Sequence, residues 1–507
     1  MGVIARQSIK GALANYLGVA IGFFVSFFVL TRYLTQEEIG LTRVLVDAAV
    51  LFSSLAQLGT NASVVRFFPW FKDGRNNHGI FGWSLLLPLA GYVLFALLFL
   101  AFREPLLEVY ARNAPLVADY FYMVPMLTFF ALYTTVFETN ASVLMRITVP
   151  KLVREVGIRL FNLAAYLLYG YGLISLDVFV WVFCGSYGLA MLLNLCYLLS
   201  LGHISFRIDR SFLDCDKVRD ILRYTLFMTA TVLAGNIPLF NSLFLGAKAG
   251  LAMTGVFTIA AYIANVVEVP YRSLGAISRP VIATAVKEER WDEVNRLGRQ
   301  VSLHQLLVSS TILYLIYINL DTLFALIPNG GSYAGGKTVV LLLGLAKVVN
   351  SSFSVCTDIL NFSRQYMWSL LYIALLTGAA IGLNSQLPEG EGAIDGAAAA
   401  TLTAYAAYFI LLFRHLYVHL GRISVFSRGQ AKAVAVMAAM AVAYLAWSSA
   451  VEPVLPLGLL GVAVVRTAVL GGMLAAAVYF WRVSPTVNGL VDAGLRKVFP
   501  GKFKNNS

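Results

Sequence analysis

Asp47, Glu138, Glu268, Lys347, Asp358 and Arg466 stand inside otherwise apolar runs of this 507-residue sequence. A charge at mid-bilayer costs about 2.5 to 3.5 kcal/mol on insertion scales, so such residues mark binding, ion exchange or buried pairing. Lys347 is the most central of them. At about 100° per residue, Lys347, Asn350, Ser354, Asp358 and Asn361 fall within roughly 80° of arc, which makes one helix face polar along its length. A polar stripe cannot face lipid; it faces either neighbouring helices or a water-filled cavity. Asn236, Asn241, Asn265 and Glu268 add polar groups to two preceding apolar runs. Pro238 and Pro270 remove backbone hydrogen bonds there, where hinges are useful. Cavity lining accounts for all three helices together, and interhelical pairing of Lys347 with a carboxylate is the structural alternative.

Other patterns carry less chemistry. Gly331 to Thr338 satisfies the phosphate-loop pattern GxxxxGK[ST] letter for letter. Such a loop needs a buried strand before it and a soluble helix after it, whereas here Pro328 and a turn precede an apolar run. His415 and His419 share a helix face, but no carboxylate or thiol accompanies them at what is expected to be a helix end. TNAS occurs at 60 to 63 and again at 139 to 142, each followed by a basic residue, Arg66 and Arg146. Such repeats suit a polar rim or simply a small-residue helix end. No Ser-His-Asp, HExxH or paired-carboxylate arrangement appears, so nothing argues for an enzyme.

The elements that must position these residues are membrane helices. The chain is 59% hydrophobic and 13% charged, with a mean hydropathy of +0.76, against about 25% charged in soluble domains. Apolar runs of bilayer length predict spans near 11–34, 40–65, 80–102, 118–143, 156–174, 178–201, 223–246, 252–277, 302–326, 338–361, 367–387, 395–418, 431–449 and 458–481. The first run, after Arg6 and Lys10, exceeds a signal-peptide core and reads as a retained helix.

Of the 38 Lys and Arg, threading from a cytosolic N-terminus puts 30 in cytosolic segments, six on the outer side and two inside helices. The outer six are Arg32, Arg43, Arg103, Arg112, Lys248 and Lys337, whereas Arg146, Lys151, Arg154 and Arg159 all fall inside. This asymmetry predicts both termini in the cytoplasm. It also accounts for the formal charge of +12 without a nucleic-acid partner. Cys184, Cys196, Cys215 and Cys356 lack CxxC spacing and suggest no disulfide framework.

The pattern repeats weakly. A shift of 215 superposes Gly40 on Gly255 and Lys72-Asp73 on Lys287-Glu288, and a shift of 216 superposes Leu58-Gly59 on Leu274-Gly275. Parallel repeats of six helices follow, at 1–202 and 223–425, joined by a linker at 203–222. Residues 426–507 then supply an extra helix pair and a basic tail.

Arg32, Leu34, Glu38 and Gly40, then Leu58-Gly59, then Arg66-Phe67 carry a resemblance that covers essentially the whole chain. With Tyr333 and Val339 to Leu343 in the second repeat, the sequence resembles the polysaccharide and oligosaccharide flippases of the multidrug/oligosaccharidyl-lipid/polysaccharide exporter superfamily. The resemblance implies an all-α integral membrane protein of about fourteen helices, as two six-helix bundles around a central cavity plus two C-terminal helices. It implies alternating access in a bacterial inner membrane, carrying a polyprenyl-pyrophosphate-linked oligosaccharide outward for surface polysaccharide synthesis, near a polymerase and glycosyltransferases.

That task assigns cations to the pyrophosphate and amides and hydroxyls to the sugar. Arg32, Arg43 and Lys347 are the candidates for the anionic group, with Asn236, Asn241, Asn265, Asn350 and Ser354 for the glycan. Asp47, Glu138, Glu268 and Asp358 either pair with the cations or exchange H⁺ or Na⁺, and no other cofactor is expected. The alternatives are a cation-coupled multidrug exporter using Asp47 or Glu268, and a non-transporting scaffold for a polysaccharide-synthesis complex.

Overall fold

The computed structural model describes residues 17–72, 77–202, 215–234 and 237–498, and these are helical throughout, with no strand among the described residues. Among the described residues, ten helices are long and apolar enough to cross a membrane. The remaining predicted spans coincide with shorter or less apolar helices, including α1, Leu17–Tyr33.

The helices of the N-terminal half are α2 (Gln36–Ala56), α3 (Thr60–Phe71), α4 (Ile80–Ala101), α5 (Arg103–Ala111), α6 (Met123–Val143), α7 (Ile158–Gly170) and α8 (Leu176–Ser200). After them come α9 (Cys215–Ala234), α10 (Ile237–Lys248), α11 (Gly250–Asn265), α12 (Val269–Lys287) and α13 (Trp291–Ile318). The rest are α14 (Lys337–Phe362), α15 (Met367–Ser385), α16 (Gly392–His419), α17 (Arg428–Ala450), α18 (Leu459–Phe480) and α19 (Pro485–Val498). The chain divides into two compact units. The first holds Met1–Ile259, Ile327–Ser332 and Thr377–Ala397; the second holds Ala260–Leu326, Tyr333–Leu376 and Ala398–Ser507.

Local chemistry explains the breaks in the predicted spans. The predicted helix at 40–65 is two helices, because Leu58 (φ 48°) and Gly59 (φ 67°) adopt left-handed backbone between α2 and α3. A Cβ on Gly59 would lie 2.4 Å from the Thr225 carbonyl oxygen, so only glycine fits. At its start, α2 is held by a capping box in which Glu38 N–H donates to Thr35 Oγ1 and Thr35 N–H donates to Glu38 Oε2. The other oxygen of Glu38 accepts the Tyr169 hydroxyl at 2.5 Å, which ties α2 to α7.

In lipid the hydrophobic effect does not drive helices together, so packing and interhelical hydrogen bonds must do it. In the second unit, Leu303, Leu307 and Tyr314 of α13 pack with Ala433, Val436 and Met440 of α17 and Leu470 and Leu474 of α18. Arg466, 4% exposed, is satisfied within this packing by Glu452 (2.8 Å) and Thr322 (3.0 Å) and by Asn319. Its charge is therefore part of the fold of the appended pair.

Candidate functional site

In the second unit the charged residues on α12 and α14 form a polar seam. A single 3₁₀ turn, Val266–Glu268, interrupts the helix between α11 and α12, with Pro270 just beyond it, and presents Glu268 to α14. Lys347 Nζ lies 3.1 Å from Glu268 Oε2, and Asn350 donates to Glu268 Oε1 at 3.0 Å. Residues three apart share a helix face, which is how one carboxylate engages both. The Lys347 and Glu268 side chains are each 13% exposed. Three turns further along α14, Asp358 accepts from Arg279 Nε at 3.2 Å, and Arg279 also donates to the Tyr271 hydroxyl at 2.7 Å. The stripe thus ends in two ion pairs. Between them Ser354, buried, donates to the Ser351 carbonyl of its own helix.

The first unit holds the other charged candidates. Arg43 pairs with Asp47 at 2.6 Å, and Ser242 of α10 donates to the same carboxylate oxygen at 2.5 Å. Asn241, 2% exposed, accepts from Asn384 at 3.0 Å. Glu138 pairs with Arg154 at 2.7 Å. Arg32 is exposed, its guanidinium 5.7 Å from the Tyr33 ring centroid. All four acidic candidates therefore sit beside cations. Asn265 is exposed and Asn236 lies outside the described residues.

One end of the first unit is sealed. Asn113 donates to the carbonyls of Ala247 (2.9 Å) and Lys248 (3.2 Å), and Lys248 donates to Ser385 and Leu387. Gln36 donates to the Ser332 carbonyl at 2.5 Å and Asn329 to that of Thr31 at 3.0 Å. Arg112 faces Glu389 at 3.7 Å. Every one of these segments is a loop or helix end that the charge asymmetry assigns to the outer side.

Beneath this seal α2 and α11 cross at a reciprocal contact. A Cβ on Gly40 would lie 2.1 Å from the Leu251 carbonyl oxygen, and one on Gly255 would lie 2.1 Å from that of Gln36. The shift of 215 that relates Gly40 to Gly255 also relates Gln36 to Leu251. Each glycine therefore faces the equivalent backbone position of the other helix, as an isologous contact requires.

The remaining motifs resolve simply. Tyr333 is 2% exposed and Lys337 pairs with Asp321 where a phosphate loop would offer its lysine. Both nitrogens of His415 face protein partners, the Tyr372 hydroxyl and Gln365 Oε1. Reasoning from residue types missed Arg279, Arg154, Ser242 and Asn384. Arg279 was the most accessible of these, since a helix continued past 277 would have put it eight residues from Tyr271 on the seam.

Residues 6–285 match the family model described as polysaccharide biosynthesis protein. No curated protein sequence matches the chain. Among solved structures, the lipid II flippase MurJ in an inward closed conformation is similar over 94% of this chain and 100% of its own, with a TM-score of 0.71 at 10% identity. An inward-facing multidrug resistance MATE family transporter of the MOP superfamily is similar over 82% of this chain and 98% of its own, with a TM-score of 0.55 at 16% identity. A MOP superfamily transporter from Pyrococcus furiosus is similar over 82% and 95%, with a TM-score of 0.54 at 17% identity. At such identities the likeness is one of fold.

Proposed function

Because this chain belongs to the polysaccharide biosynthesis protein family, we propose that it is a flippase moving a polyprenyl-pyrophosphate-linked oligosaccharide from the cytoplasmic to the outer leaflet of a bacterial inner membrane. The observation that carries this reading is the Glu268–Lys347–Asn350 node, an ammonium held deep in an apolar helix yet partly accessible. A pyrophosphate competes with Glu268 for Lys347, and Asn350, released from the carboxylate, is free to meet a sugar hydroxyl. Each acidic candidate already faces a cation, so a cationic drug meets no spare carboxylate among them, which disfavours the multidrug reading.

In this reading the bonded loop ends of the first unit serve as the outer gate of an alternating-access cycle. The two six-helix repeats, the fourteen-helix count, and a polymerase and glycosyltransferases as neighbours belong to the same proposal. Proteoliposomes loaded with a fluorescent polyprenyl-pyrophosphate glycan test it. Purified protein should expose the glycan on the opposite leaflet, and a protein that moves only a cationic dye would replace this reading with the exporter.

Sidedness has its own check. Reporter fusions after residues 110 and 390 should both read as external and a fusion after residue 425 as cytosolic. A cytosolic signal at 110 or 390 overturns the orientation, because the 30 to six distribution of basic residues was its basis.

A further inference from the structure

A basic cavity of about 820 Å³ lies in the second unit among the start of α13, the start of α17 and the turn from α18 to α19. Arg296, Arg299, Arg428, Lys432 and Arg482 line it, with Asp292 as the opposing carboxylate. Its frame is tied from three sides. Arg299 Nε donates to the Ser424 carbonyl (2.9 Å), Lys432 Nζ to that of Trp481 (3.0 Å), and Gln430 to Ser302 Oγ (2.6 Å). Ser427 and Gln430 form the capping box that starts α17 beside Arg428. These bonds occupy one donor each on Arg299 and Lys432 and leave their remaining N–H groups for a ligand. Like charges gathered in one concavity repel, and an anion of comparable charge relieves that repulsion.

The surroundings say where the anion comes from. Only 11% of the spanning window of α17 and 17% of that of α18 is buried, so the faces of both helices meet lipid. Phe426, Phe480 and Trp481, which flank the lining residues Ser427 and Arg482 in the chain, are 51%, 76% and 52% exposed, and exposed aromatics of this kind are found at the membrane–water boundary. From Lys432, the exposed Ala435, Ala439 and Val442 follow on the same face of α17, away from the cations. Charge at headgroup depth with an apolar track beneath it is the geometry of a lipid, not of a free solute.

We propose that this cavity binds the phosphate headgroup of an anionic phospholipid from the basic, cytoplasmic-side leaflet, with its acyl chains along α17. The site is separate from the Glu268–Lys347 node and does not depend on the transported substrate. Native mass spectrometry of the purified full chain, titrated with phosphatidylglycerol, phosphatidylcholine or inorganic pyrophosphate, tests it. Phosphatidylglycerol should bind at least about tenfold more tightly than phosphatidylcholine, and Arg428→Gln/Lys432→Gln/Arg482→Gln should remove that preference. The three single variants, all at exposed positions, are measured alongside so that a misfolded triple does not hide the result; each should weaken phosphatidylglycerol about threefold. Arg482→Lys should keep most of the affinity, since charge is retained. Equal binding of the two lipids, or unchanged binding in all three single variants, overturns the site. Displacement of phosphatidylglycerol by micromolar inorganic pyrophosphate overturns the lipid source and assigns the cavity to a soluble anion.

Discussion

Replacing Gly40 or Gly255 by valine should abolish export while leaving the protein in the membrane. The new Cβ would stand 2.1 Å from a carbonyl oxygen of the facing helix in either case. Backbone cannot rotate aside as a side chain does, so α2 and α11 must separate. Overpacking of this kind costs about 1 to 3 kcal/mol, which lowers the closed population roughly 5- to 150-fold. The penalty falls on the closed state and leaves the separated one untouched, so transport should suffer more than abundance. The reciprocal geometry adds a sharper expectation, that the two substitutions behave alike despite lying 215 residues apart. The readouts are glycan export in cells, membrane abundance, and disulfide trapping between Gln36→Cys and Ser332→Cys, whose native partners are hydrogen-bonded across the seal. Normal export with undiminished trapping in either valine variant would mean that the crossing is not a gate.

Lys347→Ala should also eliminate export, and its double variant separates transport from folding. Removing the ammonium leaves Glu268 with Asn350 alone, and stripping one partner from a largely buried pair costs up to about 3 to 5 kcal/mol. Part of that loss should appear as reduced membrane abundance. Lys347→Ala/Glu268→Gln removes the stranded charge, so abundance should return. Export should stay lost, because no cation remains at this node for the pyrophosphate. Lys347→Arg should keep partial activity, with charge preserved and shape changed. A double variant that regains export would reduce the pair to a structural contact and remove the headgroup from this site.

The seam on α14 illustrates what could be read in advance and what could not. Lys347, Asn350 and Asp358 share a face because an α-helix turns by a fixed angle per residue, and lipid forbids that face from being idle. Their partners were another matter. Glu268–Lys347 and Arg279–Asp358 each join residues 79 apart in the chain. Arg279 was beyond the predicted helix end because hydropathy detects only the stretch inside the bilayer. The helix α12 runs on to Lys287 and α13 begins at Trp291, through charged segments that water tolerates and that hydrogen-bond as helix all the same. Hydropathy likewise merges helices across the breaks at Leu58-Gly59 and at Val266–Glu268, since an apolar residue in left-handed or 3₁₀ backbone is as lipophilic as one in a straight helix.

By itself, then, the sequence determined that this is a membrane helix bundle, where its apolar runs lie and that Gly40 and Gly255 are related by one shift along the chain. Each of these follows from transfer free energy or periodicity along one chain segment. The tertiary structure alone decided that the acidic candidates are paired, that Asn241 accepts from Asn384, that Gly40 and Gly255 each meet the other's helix, and that five cations from three separate segments line one cavity. Those contacts depend on which helix faces meet. In lipid that choice is made by packing and by satisfying polar groups between distant segments, for which hydropathy along the chain carries no signal.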